Sequence, residues 1–91
     1  MKRNNDLIVS QILEICVEGA YKTHVIYKAN LNFKKADKYL KMLMESGLIS
    51  MENKSSKVKY KTTEKGLELN NKYRCLQDEL DRLHTSVYSG V

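Results

Sequence analysis

The most informative part of the chain is residues 32–47, which read NFKKADKYLKMLMESG. Asn32 can cap a helix and Gly47 can end one, so a helix is predicted from Phe33 to about Ser46. At about 100° per residue, one face of this helix is expected to be buried. That face holds Ala36, Leu40 and Leu43, with Phe33, Tyr39 and Met44 at its margins. The opposite side is basic and carries Lys34, Lys35, Lys38 and Lys41.

Two shorter helices are predicted before the basic helix. Asp6 can cap the first, whose apolar residues recur at helical spacing, and Gly19 suits the C′ position after its end. Thr23 can cap the second helix, and residues 30–32 form a turn, because Asn is favoured in turns. The basic helix therefore follows a short helix and a tight turn.

A ribbon of two strands is predicted after the basic helix. Residues 48–52 are typical of a strand, and residues 53–56 form a polar turn. Residues 57–61 alternate strictly, with Val58 and Tyr60 on one side and the lysines on the other. The lysines of the turn and the second strand are Lys54, Lys57, Lys59 and Lys61.

A long helix closes the chain. Thr62 or Thr63 can cap it, and Gly66 lies in its first turn at a mild cost in helix propensity. Residues 86–91 are expected to fray. The predicted order is helix, helix, helix, strand, strand, helix, which is a mainly α fold with a small two-stranded β-ribbon.

Apolar residues recur along the last helix at alternating spacings of four and three. They are Leu69, Tyr73, Leu76, Leu80, Leu83 and Val87. This stripe spans about three heptads and predicts a homodimer through the helix. Packing of the stripe on its own domain is the alternative. The expected division is a globular domain over residues 1–66 and a dimerisation helix over residues 67–91. Charge does not decide the orientation of the two helices.

The net charge of +5 is unevenly distributed. Residues 1–66 hold 13 basic against 7 acidic residues, and residues 67–91 hold 3 against 4. A basic body indicates a polyanionic partner, and a basic surface that serves solubility is the alternative.

The two cysteines, Cys16 and Cys75, do not form the dense disulfide framework of a small secreted domain. Both are interpreted as reduced thiols, with a bridge between them as the minority alternative. Neither a signal peptide nor a membrane span is expected, so the protein is predicted to be cytoplasmic.

Catalysis has little support in the sequence. His24 and His84 have no cysteine or carboxylate partner at the spacing of metal ligands, and Cys16 falls on the apolar face of the first helix. No glycine-rich phosphate loop occurs. No enzymatic activity, cofactor or metal is predicted.

The lysine-bearing helix and ribbon together indicate duplex DNA as the partner. The helix can enter the major groove, and the ribbon can meet phosphates. The predicted DNA-binding residues are Lys34, Lys35, Lys38, Lys41, Lys54, Lys57 and Lys59, with Tyr27, Tyr39 and Tyr60 at the margin. A solvated helix face and a lysine-protected edge strand are the alternatives. Because this face lacks arginine, more backbone binding than base reading is expected.

Three segments resemble a family of small archaeal winged-helix proteins. They are residues 21–33, which read YKTHVIYKANLNF; residues 39–49, with YLKML and GLI; and residues 60–66, YKTTEKG. The resemblance covers roughly residues 7–75. It implies a winged helix-turn-helix in which residues 33–42 form the recognition helix and the ribbon is the wing. It also implies DNA binding, in some members associated with chromatin, and dimerisation through a C-terminal antiparallel coiled coil.

The sequence therefore predicts a dimeric transcription regulator or nucleoid-associated chromatin protein. A winged-helix module that binds another protein, without a nucleic-acid role, is the main alternative. An RNA-binding role is weaker, because no aromatic-rich sheet is apparent.

Overall fold

A computed structural model describes residues 4–89 of the chain, and the side-chain surroundings of residues 4–85. Its elements are α1 (Asn5–Ile15), β1 (Ala20–Tyr21), α2 (Lys22–Ala29), α3 (Phe33–Glu45), β2 (Ile49–Lys54), β3 (Lys57–Thr62) and α4 (Glu64–Ser89). The predicted order is confirmed, with one strand added. Residues 86–91, which were expected to fray, lie outside the residues whose side chains the structure describes. The backbone of α4 is helical to Ser89.

The sheet has three antiparallel strands in the order β1-β3-β2. Strand β1 was not predicted, because two residues cannot display an alternating pattern. Ala20 pairs with Tyr60, and Tyr21 pairs with Lys59. This pairing ties the segment before α2 to the ribbon.

The first two helices begin and end differently from the prediction. Asn4, not Asp6, caps α1, because its side chain accepts the Leu7 N–H at 2.7 Å, and Asp6 lies in the first turn. The helix ends at Ile15, so Gly19 lies beyond the C′ position, in the loop, with a φ of +92°. A side chain there would be strained.

Helix α2 begins at Lys22 without a side-chain cap, so the prediction that Thr23 caps it was wrong. Strand β1 leads directly into the helix, which leaves no room for a separate capping turn. At its other end Asn30 adopts the left-handed conformation, with a φ of +52°, as the predicted turn requires. Asn32 then caps α3, and its side chain accepts the Lys35 N–H at 2.7 Å.

The core lies between the first three helices and the sheet. Its largest fully buried side chains are Ile12, Leu13, Leu40, Leu43, Val25 and Cys16. The buried face predicted for α3 is confirmed, since Ala36, Leu40 and Leu43 are all inaccessible to solvent or nearly so. This packing fixes the side of α3 that faces water.

Helix α4 is attached to the body at its first turns. The Thr63 side chain accepts the Gly66 N–H at 3.2 Å, which confirms the predicted cap, and donates to the Gly47 carbonyl at 2.7 Å. Gly66 is required by a close approach, because a Cβ there would lie 2.3 Å from the Leu48 carbonyl oxygen. The sequence indicated only a mild cost of Gly66 in helix propensity, whereas the structure shows that the packing of α4 on Leu48 requires it. The Thr62 hydroxyl donates to the Leu13 carbonyl at 2.6 Å.

Both cysteines are free, as predicted, with Cys16 buried and Cys75 exposed. Burial raises the pKa of the Cys16 thiol to about 11, so this thiol stays protonated at neutral pH. Within residues 4–89, no helix combines the length and the apolar character that crossing a membrane requires.

Candidate nucleic-acid interface

The predicted basic face of α3 is present and open. Lys34, Lys35, Lys38 and Lys41 are all exposed. Within the described part of the chain, none of the four lies within ion-pair distance of a carboxylate. Because the opposite face is locked into the core, these ammonium groups are held on one side of the molecule. The result is a concentrated positive charge whose counterion must come from outside.

Two acidic residues share this side of α3: Glu45 at its C-terminal end and Asp37, whose role was not predicted from the sequence. Asp37 lies on the flank of α3, where its carboxylate accepts from the Lys22 ammonium at 2.7 Å. That hydrogen bond holds the pKa of Asp37 below and the pKa of Lys22 above its usual value. The pair links the start of α2 to α3 and neutralises the carboxylate. Asp37 was missed because its partner is 15 positions away in the sequence.

Phe33 does not lie at the margin of the core as expected. It is 65% exposed at the first position of α3. The Lys22 ammonium lies 5.0 Å from the centre of its ring, a cation–π contact. Helical spacing alone could not place this ring, because the direction of the first residue depends on how the preceding turn meets α2.

The ribbon forms a tight hairpin. The expected four-residue turn is narrower, because only Ser55 and Ser56 lie between the strands, both at positive φ. Two such residues make a type I′ turn, whose twist suits a β-hairpin. Lys54 and Lys57 lie directly opposite each other beside this turn and are exposed. Two like charges at the tip repel each other, which a bound anion would relieve.

Lys59 behaves differently from the two tip lysines. It is only partly exposed, and its side chain lies beside Gly19. Its ammonium is 5.9 Å from the ring centre of Tyr21, and the Lys57 ammonium is 5.5 Å from the same ring. The structure thus places Lys59 in the middle of β3, where it pairs with Tyr21 of β1.

The three tyrosines expected at the margin have different surroundings. Tyr27 is 85% exposed on α2, whereas Tyr60 is 6% exposed and belongs to the core. Tyr60 is therefore not a surface residue, since it pairs with Ala20 on the strand that the sequence did not reveal. The Tyr39 hydroxyl donates to the Asn5 side chain at 2.8 Å and joins α3 to α1.

The apolar stripe of α4 is open to solvent. Its exposed members are Leu69, Leu76, Leu80 and Leu83, while Tyr73 is half-buried and the side chain of Val87 lies outside the described residues. None of these four leucines is buried by its own domain, although Leu69 and Leu76 line a groove beside α1.

An apolar groove of about 360 Å³ continues this stripe toward the body. Its walls come from α1 and from the first half of α4, with Val9 and Leu13 on one side and Leu69, Tyr73 and Leu76 on the other.

Polar contacts fix the spacing of the two helices that form the groove. The Ser10 hydroxyl donates to the buried Asn70 side chain at 2.6 Å, and Asn70 donates to Glu14 at 2.7 Å. Arg74 lies 3.5 Å from the same Glu14 carboxylate.

Known proteins share both the fold and the sequence pattern. A family model described as winged helix-turn-helix matches residues 2–81. An uncharacterized protein of Methanocaldococcus jannaschii is 36% identical over 69 residues, which is 75% of this chain and 67% of that protein. Among solved structures, Sso10a-2 of Sulfolobus solfataricus, described as a DNA-binding protein, is 28% identical with a TM-score of 0.76. The match covers 98% of this chain and 97% of Sso10a-2.

A more distant structure shares the fold alone. The winged helix-turn-helix DNA-binding domain of Mb0332 from Mycobacterium bovis, described as homodimeric, has a TM-score of 0.69 at 19% identity. That match covers 84% of this chain and 70% of the other. The resemblance and the mainly helical winged fold inferred from the sequence are confirmed, and the chain belongs to the winged helix-turn-helix family.

Proposed function

We propose that this protein binds duplex DNA, with α3 in the major groove and the ribbon on the phosphates. The observation that carries the proposal is the row of exposed lysines on α3, with no carboxylate at ion-pair distance in the described part of the chain. A major groove is wide enough for a helix, and phosphates supply the missing counterions. The tip lysines, Lys54 and Lys57, extend the basic surface to the wing.

The chemistry of lysine favours contacts with the DNA backbone over reading of bases. An ammonium is a point charge, and it lacks the planar fork with which arginine binds a guanine edge. The arginines in the described part of the chain, Arg74 and Arg82, both lie on α4. Affinity is thus expected to come mainly from phosphates, with limited discrimination between sequences.

The relatives support the same role. Sso10a-2, which is similar over nearly the whole chain, is described as a DNA-binding protein. By this similarity the proposed role is that of a transcription regulator or a chromatin-associated protein. A winged helix that binds only another protein would not need an unpaired row of lysines on the helix that follows the turn.

We further propose a homodimer through residues 67–91, with residues 1–66 as the DNA-binding part. Leu76 and Leu83 are each 59% exposed, so a monomer leaves the stripe of α4 in water. An antiparallel arrangement brings the second half of one α4, with Leu80 and Leu83, to the groove between α1 and α4 of the other copy. In a parallel arrangement the two grooves would face each other. The second halves of the two α4 helices would then pack only on each other, and neither would fill a groove.

Salt dependence tests the DNA-binding proposal. The protein is titrated onto random and genomic duplexes at about 50 and about 200 mM salt, a range over which phosphate contacts weaken steeply. If a monomer neutralises about four to six phosphates, log affinity plotted against log salt should have a slope of roughly −4 to −5 per monomer. A slope near zero contradicts the proposal and favours the protein-binding alternative.

A further inference from the structure

The first residue of α3 presents an aromatic ring to solvent. Phe33 is 65% exposed, although it directly follows the cap of a helix that buries Ala36, Leu40 and Leu43 in the core. Single exposed apolar residues are common and by themselves indicate nothing. The position of Phe33 is what matters, because the N-terminal residues of a helix in the major groove are those that reach base edges.

The ring is also held in place from one side. The Lys22 ammonium lies 5.0 Å from the ring centre and 2.7 Å from the Asp37 carboxylate, one turn further along α3. Lys22 is thereby fixed between two residues of the same helix. One face of the ring is covered by this cation, and the rest of the side chain remains open beside Lys34.

The chemistry of the major groove provides one apolar group for such a ring. Thymine carries a C5 methyl group there, whereas unmodified cytosine has none and the other base edges present polar atoms. Lysine contacts to phosphates do not depend on the sequence, and lysine contacts to bases favour guanine, so an apolar contact is a means by which this interface can recognise an A·T pair. We propose that Phe33 packs on a thymine methyl group and gives the protein a preference for thymine-containing sites. This inference rests on the proposed DNA binding by α3.

The test removes only the methyl group. Affinity is measured for two A·T-rich duplexes of identical sequence, one with thymine and one with deoxyuridine, at one low salt concentration. The wild-type protein should bind the thymine duplex more tightly, by about four-fold for each methyl group that the ring covers. In Phe33→Ala the ratio of the two affinities should fall close to the value that the loss of the methyl group causes through DNA stiffness alone. That residual effect is the same for every variant.

Leu67→Ala is the control, because Leu67 is also an exposed apolar residue but lies on α4, away from the proposed DNA-binding surface. It should keep the wild-type ratio. A second measurement needs no variant: methylation of cytosine at C5 puts the same group into the groove of a G·C-rich duplex, and wild-type affinity should rise.

The possible results separate the two proposals. If Phe33→Ala keeps the full thymine-to-uracil ratio and C5 methylation has no effect, while binding remains steeply salt-dependent, the role of Phe33 is refuted and DNA binding stands. If the wild-type protein binds none of the duplexes at low salt, the proposed function fails, and the role of Phe33 fails with it.

Discussion

Gly66 shows what a single residue contributes to this fold. In the sequence it is a weak helix former placed in the first turn of α4. In the structure its missing side chain lets α4 approach the backbone at Leu48, whose carbonyl also accepts the Thr63 N–H at 3.0 Å. The need for glycine could not be predicted from local pattern, because the neighbouring atom lies 18 positions earlier in the chain.

Gly66→Ala should therefore destabilise the protein. A Cβ would meet the Leu48 carbonyl oxygen at 2.3 Å, and a backbone atom cannot move aside as a flexible side chain can. We expect a loss of about 1–3 kcal/mol in the free energy of unfolding, although alanine is the better helix former by roughly 1 kcal/mol. Urea denaturation of the variant and of the wild-type protein measures this difference in the free energy of unfolding.

Asn71→Ala is the control for this substitution. Asn71 lies in the same helix but is exposed, so the change raises helix propensity without a new contact. It should leave stability equal or slightly higher. Equal stability of Gly66→Ala and the wild type would show that the approach at Leu48 is looser than the structure has it.

Among the elements, α3 was predicted best and β1 was not predicted. The strong contrast between the two faces of α3, an Asn cap and a terminal glycine all agree, so its bounds differ from the prediction by one residue. Strand β1 exists only because β3 provides a partner, and such pairing over about 40 residues leaves no local signal. For the same reason the basic face was predicted, whereas the bridge between Lys22 and Asp37 was not.

The role of α3 as the binding element can be tested by charge reversal. Lys38→Glu and Lys41→Glu should each weaken DNA binding strongly, because both lie on the exposed face and each replaces an attraction to phosphate by a repulsion. Neither should change the fold, which circular dichroism would verify. Affinity for one duplex at one salt concentration is the measurement.

Lys72→Glu is the matched control for α3. It makes the same change in net charge on α4, where Lys72 is exposed and paired with Glu68 across one helical turn. Its effect on affinity should be small. Equal losses from all three variants would mean that total charge, and not α3, determines binding.

At the scale of the whole molecule, the long helix α4, with its apolar stripe, gives the molecule an elongated shape. The extents are 57 × 27 × 19 Å, because α4 continues beyond the body formed by the other elements. The heptad spacing could be read from the sequence. Its exposure could not, because a helix with the same pattern could have packed on its own domain.

Leu80→Glu should convert the proposed dimer into monomers. Burial of one leucine is worth about 1.5–3 kcal/mol, and a charge in the centre of the stripe would be buried against the partner. Sedimentation at micromolar protein concentration measures the oligomeric state. Apparent DNA affinity should also fall, because two linked binding sites become one.

Asn71→Glu is the control, because it adds the same charge on the opposite side of α4 and should leave the dimer intact. A monomeric wild-type protein at these concentrations would refute the dimer.

The attachment of α4 has a mechanical consequence. The Thr63 and Lys65 side chains bond to the carbonyls of Gly47 and Ser46, at the end of α3, at 2.7 and 2.9 Å, and the Asn70 contacts hold α4 to α1. Beyond Asn70 the helix runs unbroken to Ser89, and these 19 residues make a rod about 28 Å long. Such a rod acts as a lever whose fulcrum lies at the contacts between Asn70 and α1. A tilt of only about 5° there moves its far end by about 2.5 Å, enough to shift a leucine relative to the surface on which it packs.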